Sequence, residues 1–263
     1  MTLEERIVQR LEERIATSEL NLLNDDHRYR IFDAPLIGIA SADDPLFETF
    51  LKPNVIGADF MVPDRWLIGA KSVISWFLPF TQEIRDTNRK LGVPSREWVF
   101  SKRDGEALNV ATRRFMVEHC RLQGYEAVAP MLDARFKIIH NVSNWSERHI
   151  AYAAGLGTFG LHRGLITEKG TAGRFGSIVT TLPLTPTPRL YQSHQEYCLF
   201  FAKGTCGQCI SRCPCGAIAA SGKDVPACAT YLDKVVVPLY NSTDACAKCY
   251  VGVPCEARNP MRG

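Results

Sequence analysis

The sequence predicts an α+β fold with an α/β layered front part and a separate C-terminal cysteine module. Three observations carry this. Helix-like and strand-like periodicities alternate from Thr2 to Leu184, which is the pattern of a layered core. Nine of the ten cysteines fall between Cys198 and Cys255. Pro183, Pro186 and Pro188, interleaved with Thr185 and Thr187, punctuate the chain just before them. The expected division is therefore residues 1–190 and residues 191–263.

Thr2 to about Leu23 reads as an amphipathic helix, with Leu3, Ile7, Leu11 and Ile15 on one stripe. Thr2 and Glu5 have capping-box spacing. A short helix is expected at Phe47–Leu51. Ser72 to Leu78 reads as a buried strand stopped by Pro79. Thr81 to Lys102 reads as a long polar loop. Gly105 to Gln123 has helical periodicity, ended by Gly124, with Cys120 a buried small residue. Glu126 to Leu132 reads as a strand. Ser146 is the expected N-cap of a helix that runs into a glycine-rich phrase. Leu165–Thr167 and Phe175–Leu184 read as strands.

With 46% apolar and 22% charged residues, the chain is of ordinary globular composition. A net charge of +3 is too small to imply nucleic acid as a partner. The longest apolar run, Val73 to Phe80, falls short of the ~20 residues that a membrane span needs. The N-terminal residues carry both charge signs and no apolar signal core. The expectation is a cytoplasmic protein with no membrane partner, a compartment in which ten cysteines are not disulfides.

The cysteines have the spacing of cluster ligands. Cys206-Gly-Gln-Cys209-Ile-Ser-Arg-Cys213-Pro214 is a C-x2-C-x3-C-P run, close to the bacterial two-cluster pattern in which the Cys before Pro serves the other cluster. Lys203 stands at the first position of that pattern, so Cys198 must reach in. Crossed ligation then gives one [4Fe–4S] set from Cys198, Cys206, Cys209 and Cys255. A second set comes from Cys213, Cys228, Cys246 and Cys249, with Cys215 spare. Structural zinc between the Cys206/Cys209 and Cys246/Cys249 pairs is an alternative that leaves five cysteines unexplained, and a disulfide framework is another. Two clusters form a path for single electrons, and the ~190 residues ahead of them are expected to hold the electron acceptor. That part has no metal-ligand motif, since His140, His149 and His162 are scattered.

Gly155-Leu-Gly157-Thr-Phe-Gly160 spells G-x-G-x-x-G. A dinucleotide fingerprint needs a strand before and a helix after, and here a helix precedes and a strand follows. A helix C-cap, or a wall where backbone approaches a large cofactor, accounts for the glycines instead.

From Glu147 through Gly160, then Leu165-Ile166, Gly170, Gly176, Leu182-Pro-Leu184 and the cysteine run with Cys228 and Tyr231-Leu232, the sequence resembles the epoxyqueuosine reductase and reductive dehalogenase superfamily. The resemblance spans about residues 66 to 258. It implies a nitroreductase-like, cobalamin-binding front domain and a ferredoxin-like domain with two [4Fe–4S] clusters. Gly155, Gly157, Gly160, Gly170 and Gly176, with His162 and Ser177, would lie along the corrinoid. The implied activity is reduction of a small molecule by electrons passed through both clusters to the corrinoid. Alternatives are a reductase or activator of a corrinoid partner protein, an electron carrier or redox sensor without corrinoid, and a tRNA epoxyqueuosine reductase-like enzyme. The implied electron donor is a ferredoxin or flavodoxin. Departures are clear. Asn141 stands where the family's proposed acid, an Asp, is expected, and an amide is no general acid. Leu161-His162 replaces the family's Lys-Asn. The twin-arginine signal and catalytic Tyr of the dehalogenases, and the C-terminal extension of the tRNA enzyme, are not found.

Overall fold

A computed structural model describes residues 2–243 and 245–262. Helix α1 (Leu3–Thr17) begins with the expected capping box, Glu5 N donating to Thr2 Oγ1 at 3.1 Å and Thr2 N donating to the Glu5 carboxylate at 2.8 Å. It buries Ile7, Leu11 and Ile15 and ends before Ser18, short of the predicted Leu23. A small ribbon follows, β1 (Leu22–Leu23) with β2 (Asp26–Arg30).

Four strands make the central sheet. They are β3 (Leu36–Ser41), β4 (Ser72–Pro79), β5 (Ala127–Val128) and, later in the chain, β10 (Gly173–Thr180). The order is β3-β4-β10-β5, and every pairing is antiparallel. All eight residues of β4 are buried, because both faces of the sheet are covered. Ile74, Trp76 and Leu78 face a core shared with α1 and with α5 (Arg96–Leu122). Val73 faces the other side, toward α2 (Pro45–Phe50), α3 (Pro63–Trp66) and α6 (Glu147–Ala153). On that side Trp145 is fully buried, stacked on Phe60 at 5.9 Å and edge-on to Trp66 at 5.9 Å.

The predicted loop from Thr81 to Lys102 is mostly helix. α4 (Gln82–Thr87) leads to a short connection, and α5 starts at Arg96, capped by the Ser95 hydroxyl. Gly105 therefore lies inside a 27-residue helix rather than at its start. Its missing side chain is explained by Phe32, whose ring would lie 2.6 Å from a Cβ there. The strand expected at Glu126–Leu132 shrinks to β5, followed by a tight helical turn at Pro130–Leu132.

Three hairpins complete the fold. β6 (Ile138–Ile139) and β7 (Val142–Ser143) are joined by His140-Asn141. β8 (Gly157–Phe159) pairs with β9 (Leu165–Thr167), and β11 (Ile218–Ala219) pairs with β12 (Gly222–Lys223). The cysteine segment adds α7 (Leu199–Lys203), α8 (Gln208–Arg212) and α9 (Val225–Tyr231), which passes into a wide π turn at Leu232–Val236.

This segment is gripped by two loops of the front part. Lys248, 1% exposed, donates its ammonium to the Asn88 carbonyl at 3.0 Å and the Lys90 carbonyl at 2.6 Å. Glu256 accepts from Arg85 at 3.1 Å and Arg89 at 2.8 Å, and Thr171 N donates to the Cys255 carbonyl at 2.9 Å. Among the described residues no helix is long and apolar enough to cross a membrane.

Candidate functional site

The cysteines between residues 198 and 255 line two separate spaces. Cys198, Cys206, Cys209 and Cys255 line one small void, closed by Leu161, His162, Ile166, Phe200, Val253 and Pro254 among others. Cys198 precedes α7, and Gly204, in the left-handed conformation, turns the chain back so that α8 presents Cys209. Cys255 returns from far along the chain. Cys213, Cys228, Cys246 and Cys249 line a second, larger cavity, together with Cys215. Asp224 caps α9 through Ala227 N at 2.9 Å and so orients the turn that carries Cys228. Ala217 N donates to the Cys213 sulfur at 3.2 Å, and the Cys215 sulfur lies 3.6 Å from it.

All ten thiols are unpaired. Burial, then neighbouring thiols, push Cys209 up to about 11. Burial likewise lifts Cys246 to about 11 and Cys249 to about 12, and it pushes Cys255 up further. Thiols this hard to ionise hold their protons at neutral pH until a metal displaces them. The zinc pairing is not formed, because Cys206/Cys209 and Cys246/Cys249 line different spaces. Among the described residues no three His, Cys, Asp or Glu gather tightly enough for one metal ion. Four thiols border the first space, and four besides Cys215 border the second.

The second cavity has a volume of about 480 Å³, within the range of small-ligand sites. Its far wall belongs to the front part: Arg113, Glu147, Arg148, Gly164, Gly173, Arg174 and Phe175. A charged network underlies that wall. Arg113, 1% exposed, donates to Glu106 at 2.9 Å and to Glu147 at 3.0 Å. Arg174 also donates to Glu106, at 2.9 Å. Burial disfavours the Glu106 carboxylate, but Arg174 and Arg113 outweigh it and hold its pKa low. Burial likewise disfavours the Arg113 guanidinium, and Glu147 and Glu106 more than offset it. Two buried polar atoms of this wall, Arg113 Nε and Thr171 Oγ1, have no protein partner. Nearer the cysteines stand Lys223, Lys248 and Tyr231. Burial, then the nearby thiols, push the Tyr231 phenol up to about 12.

Several residues expected along a cofactor do not line the large cavity. Gly155, at φ +80°, is the left-handed residue just past α6, where Leu156 N donates to the Ala151 carbonyl and closes the helix. A Cβ on Gly157 would lie 2.0 Å from the Ile166 carbonyl of its own hairpin partner. Gly170 packs against the Glu256 backbone, and Gly176 against Trp76 and Asn109. Gly160 makes room for the His162 ring, 2.8 Å from where its Cβ would be. None of these five glycines is among the described residues lining the large cavity, so close packing within the protein is their physical reason. Gly164 and Gly173 do line that cavity, and a Cβ would meet Thr171 and Tyr250 at the first and the Leu78 carbonyl and Phe77 at the second.

Ser177 accepts from the Trp145 indole at 2.9 Å and donates to Glu147 at 2.6 Å, which places it behind the wall. His162 sits with the first cysteine set, where burial holds its imidazole down to about 3. Asn141 is exposed at the hairpin tip. With φ of 49° at His140 and 63° at Asn141, these two residues have the backbone of a two-residue hairpin turn. Ser146 begins α6, but its hydroxyl bonds the His149 ring at 2.8 Å rather than the helix backbone.

Arg113, Glu147, Arg148 and Arg174 were not singled out as site residues by the sequence. The usable signal was Arg113, a cation interrupting the apolar stripe of α5.

No family model matches the chain. Over 176 residues it is 28% identical to an epoxyqueuosine reductase of Bacillus anthracis, an alignment covering 65% of this chain and 42% of that protein. Among solved structures, an epoxyqueuosine reductase superposes with a TM-score of 0.55 at 15% identity, covering 97% of this chain and 65% of the other. A reductive dehalogenase, whose structure suggests a mechanism for B12-dependent dehalogenation, superposes with a TM-score of 0.53 at 18% identity, covering 81% and 28%. The chain thus spans less than half the length of the curated relative it matches. It is similar in sequence to an epoxyqueuosine reductase and shares the mixed α/β fold of these enzymes and the reductive dehalogenases, the superfamily its glycine phrase and cysteine order resemble.

Proposed function

We propose that this chain is an iron–sulfur reductase that passes single electrons through two [4Fe–4S] clusters into the large cavity. The first cluster would be held by Cys198, Cys206, Cys209 and Cys255, and the second by Cys213, Cys228, Cys246 and Cys249. The observation that carries this reading is the shared cavity: the second cysteine set and the Arg113–Glu147–Arg148–Arg174 wall face the same space. A donor set of thiols on one side and a polar, charged wall on the other suits an electron source facing its acceptor.

The acceptor cofactor, by likeness to the B12-dependent dehalogenase fold, is a corrinoid. The wall fits the polar periphery of such a group, since Arg113 Nε and Thr171 Oγ1 are buried donors in want of a partner. When bound, a corrinoid supplies a cobalt centre that takes up electrons one at a time. The chain's own contribution is then positional. Glu147, fixed by Arg113 and Ser177, and Arg148 orient the bound groups from one side. Phe80, Trp98 and Phe175 exclude water. Lys223 and Lys248 offset the charge of the cluster beside them. The substrate is a small molecule, and the electron donor a low-potential ferredoxin or flavodoxin.

A second reading, a tRNA epoxyqueuosine reductase-like enzyme, is favoured by the curated relative. With Asn141 at the acid's position, it would need another proton source. Filter binding to tRNA across a salt series separates the two, because phosphate contacts impose a steep salt dependence. Joint analysis of iron, sulfide and cobalt in an anaerobic preparation tests the first reading. About eight irons with about one cobalt support it, and an iron-free protein rejects it.

A further inference from the structure

His162 was expected beside the corrinoid, and its actual surroundings give it a different task. The ring is 2% exposed and lies on the void of the first cysteine set. Its Nε2 is 3.4 Å from the Cys255 sulfur. On the opposite side of the ring, Gly164 N donates to Nδ1 at 2.9 Å. A nitrogen that accepts a hydrogen bond carries no proton, so the backbone fixes the tautomer and leaves the hydrogen on Nε2, aimed at the sulfur.

The surrounding residues hold this arrangement in place. Gly160 has no side chain where a Cβ would lie 2.8 Å from the ring's Cε1 and 3.0 Å from Nε2. The Tyr250 ring packs against the imidazole at 4.8 Å between centroids. Thr171 N holds the Cys255 carbonyl at 2.9 Å and so fixes the backbone that carries the sulfur. Glycine at 160 and histidine at 162 thus form one device.

We propose that His162 is a positioning residue that sets the reduction potential of the first cluster by donating its Nε2–H to the Cys255 sulfur, an inference that rests on the iron–sulfur reading. A hydrogen bond to a ligating thiolate withdraws negative charge from it and favours the reduced, more negative cluster. Among the described residues no histidine lines the second set's cavity, whose thiols are approached instead by Ala217 N and Lys223, so the His162 bond acts on the first cluster alone.

The test uses the anaerobically reconstituted full chain as wild type, His162→Phe and His162→Gln. Phe keeps a ring without a donor, and Gln restores an N–H. Iron and sulfide are measured first, then both midpoint potentials by redox titration followed by electron paramagnetic resonance. Each protein is expected to hold about eight irons. In His162→Phe the reduction equilibrium of one cluster falls at least tenfold, about 59 mV for one electron, while the other stays fixed. His162→Gln recovers part of the shift. Wild type shows a proton coupled to one reduced cluster that exchanges in D2O, and His162→Phe lacks it. This wild-type signal stands as a test even where a variant folds poorly.

Unchanged midpoints in His162→Phe overturn the proposal, as does loss of about four irons, which would make His162 a ligand. A wild type holding only about four irons instead brings down the two-cluster reading itself.

Discussion

The two cysteine sets have the same donor chemistry in opposite surroundings. Cys198, Cys206, Cys209 and Cys255 are sealed by apolar residues and one oriented histidine. Cys213, Cys228, Cys246 and Cys249 open onto a cavity of about 480 Å³ whose far wall is charged. On the proposed iron–sulfur reading, the four thiols of each set would hold the same kind of cluster. What lies beyond the thiols decides whether the cluster relays an electron or delivers it, since hydrogen bonding, charge and exposure set its potential.

The largest expected effect separates the sets directly. Cys249→Ser and Cys206→Ser should each lose about four of eight irons. Only Cys249→Ser should also weaken cobalamin binding, because only its cluster faces the cavity. Isothermal titration of both variants checks this, and equal losses of affinity would erase the distinction.

Next in size is the wall. Arg113→Met leaves Glu106 and Glu147 facing one another across the place of a buried guanidinium. Breaking such a buried pair costs about 3–5 kcal/mol, read as a fall in the denaturant midpoint. A loss below about 1 kcal/mol, the worth of a surface ion pair, would mean the network is not built as described.

A smaller effect appears with pH. The Glu106 carboxyl is held below its ordinary value of 4.5 by Arg174 and Arg113, against burial. A depressed carboxylate adds stability above its unfolded pKa, and that stability is lost as pH falls through the lower folded value. Stability should therefore drop as pH falls below about 4.5, and Glu106→Gln should flatten that acid limb. An acid limb of the same steepness in the variant would show that the wall's charges do not govern it.

How far the sequence could be read differs between regions in the same way. Local signals were legible. Thr2 and Glu5 announced the start of α1, and the apolar run at Ser72–Pro79 announced the central strand. The cysteine spacing singled out the thiols that border the two spaces, the distant Cys198 and Cys255 among them. The charged wall was not legible, because it joins Arg113 to Glu147 and Glu106 to Arg174 across long stretches of chain. Gly105 misled for a related reason: a glycine chosen for contact with Phe32 looks in sequence like a helix boundary. The glycines of residues 155–176 did signal close approach, which the fold meets with the chain's own backbone and side chains. Asn141 suited a turn whose φ values are positive, which the sequence comparison with a catalytic acid had hidden.

The most direct test of electron delivery into the cavity is an anaerobic cobalamin titration of the reconstituted chain. Electron paramagnetic resonance is recorded after reduction by a low-potential donor. The account predicts binding at about one cobalamin per chain, with relaxation of one cluster signal altered by the nearby cobalt and the other unaffected. Failure to bind cobalamin, or two cluster signals indifferent to it, would contradict the account.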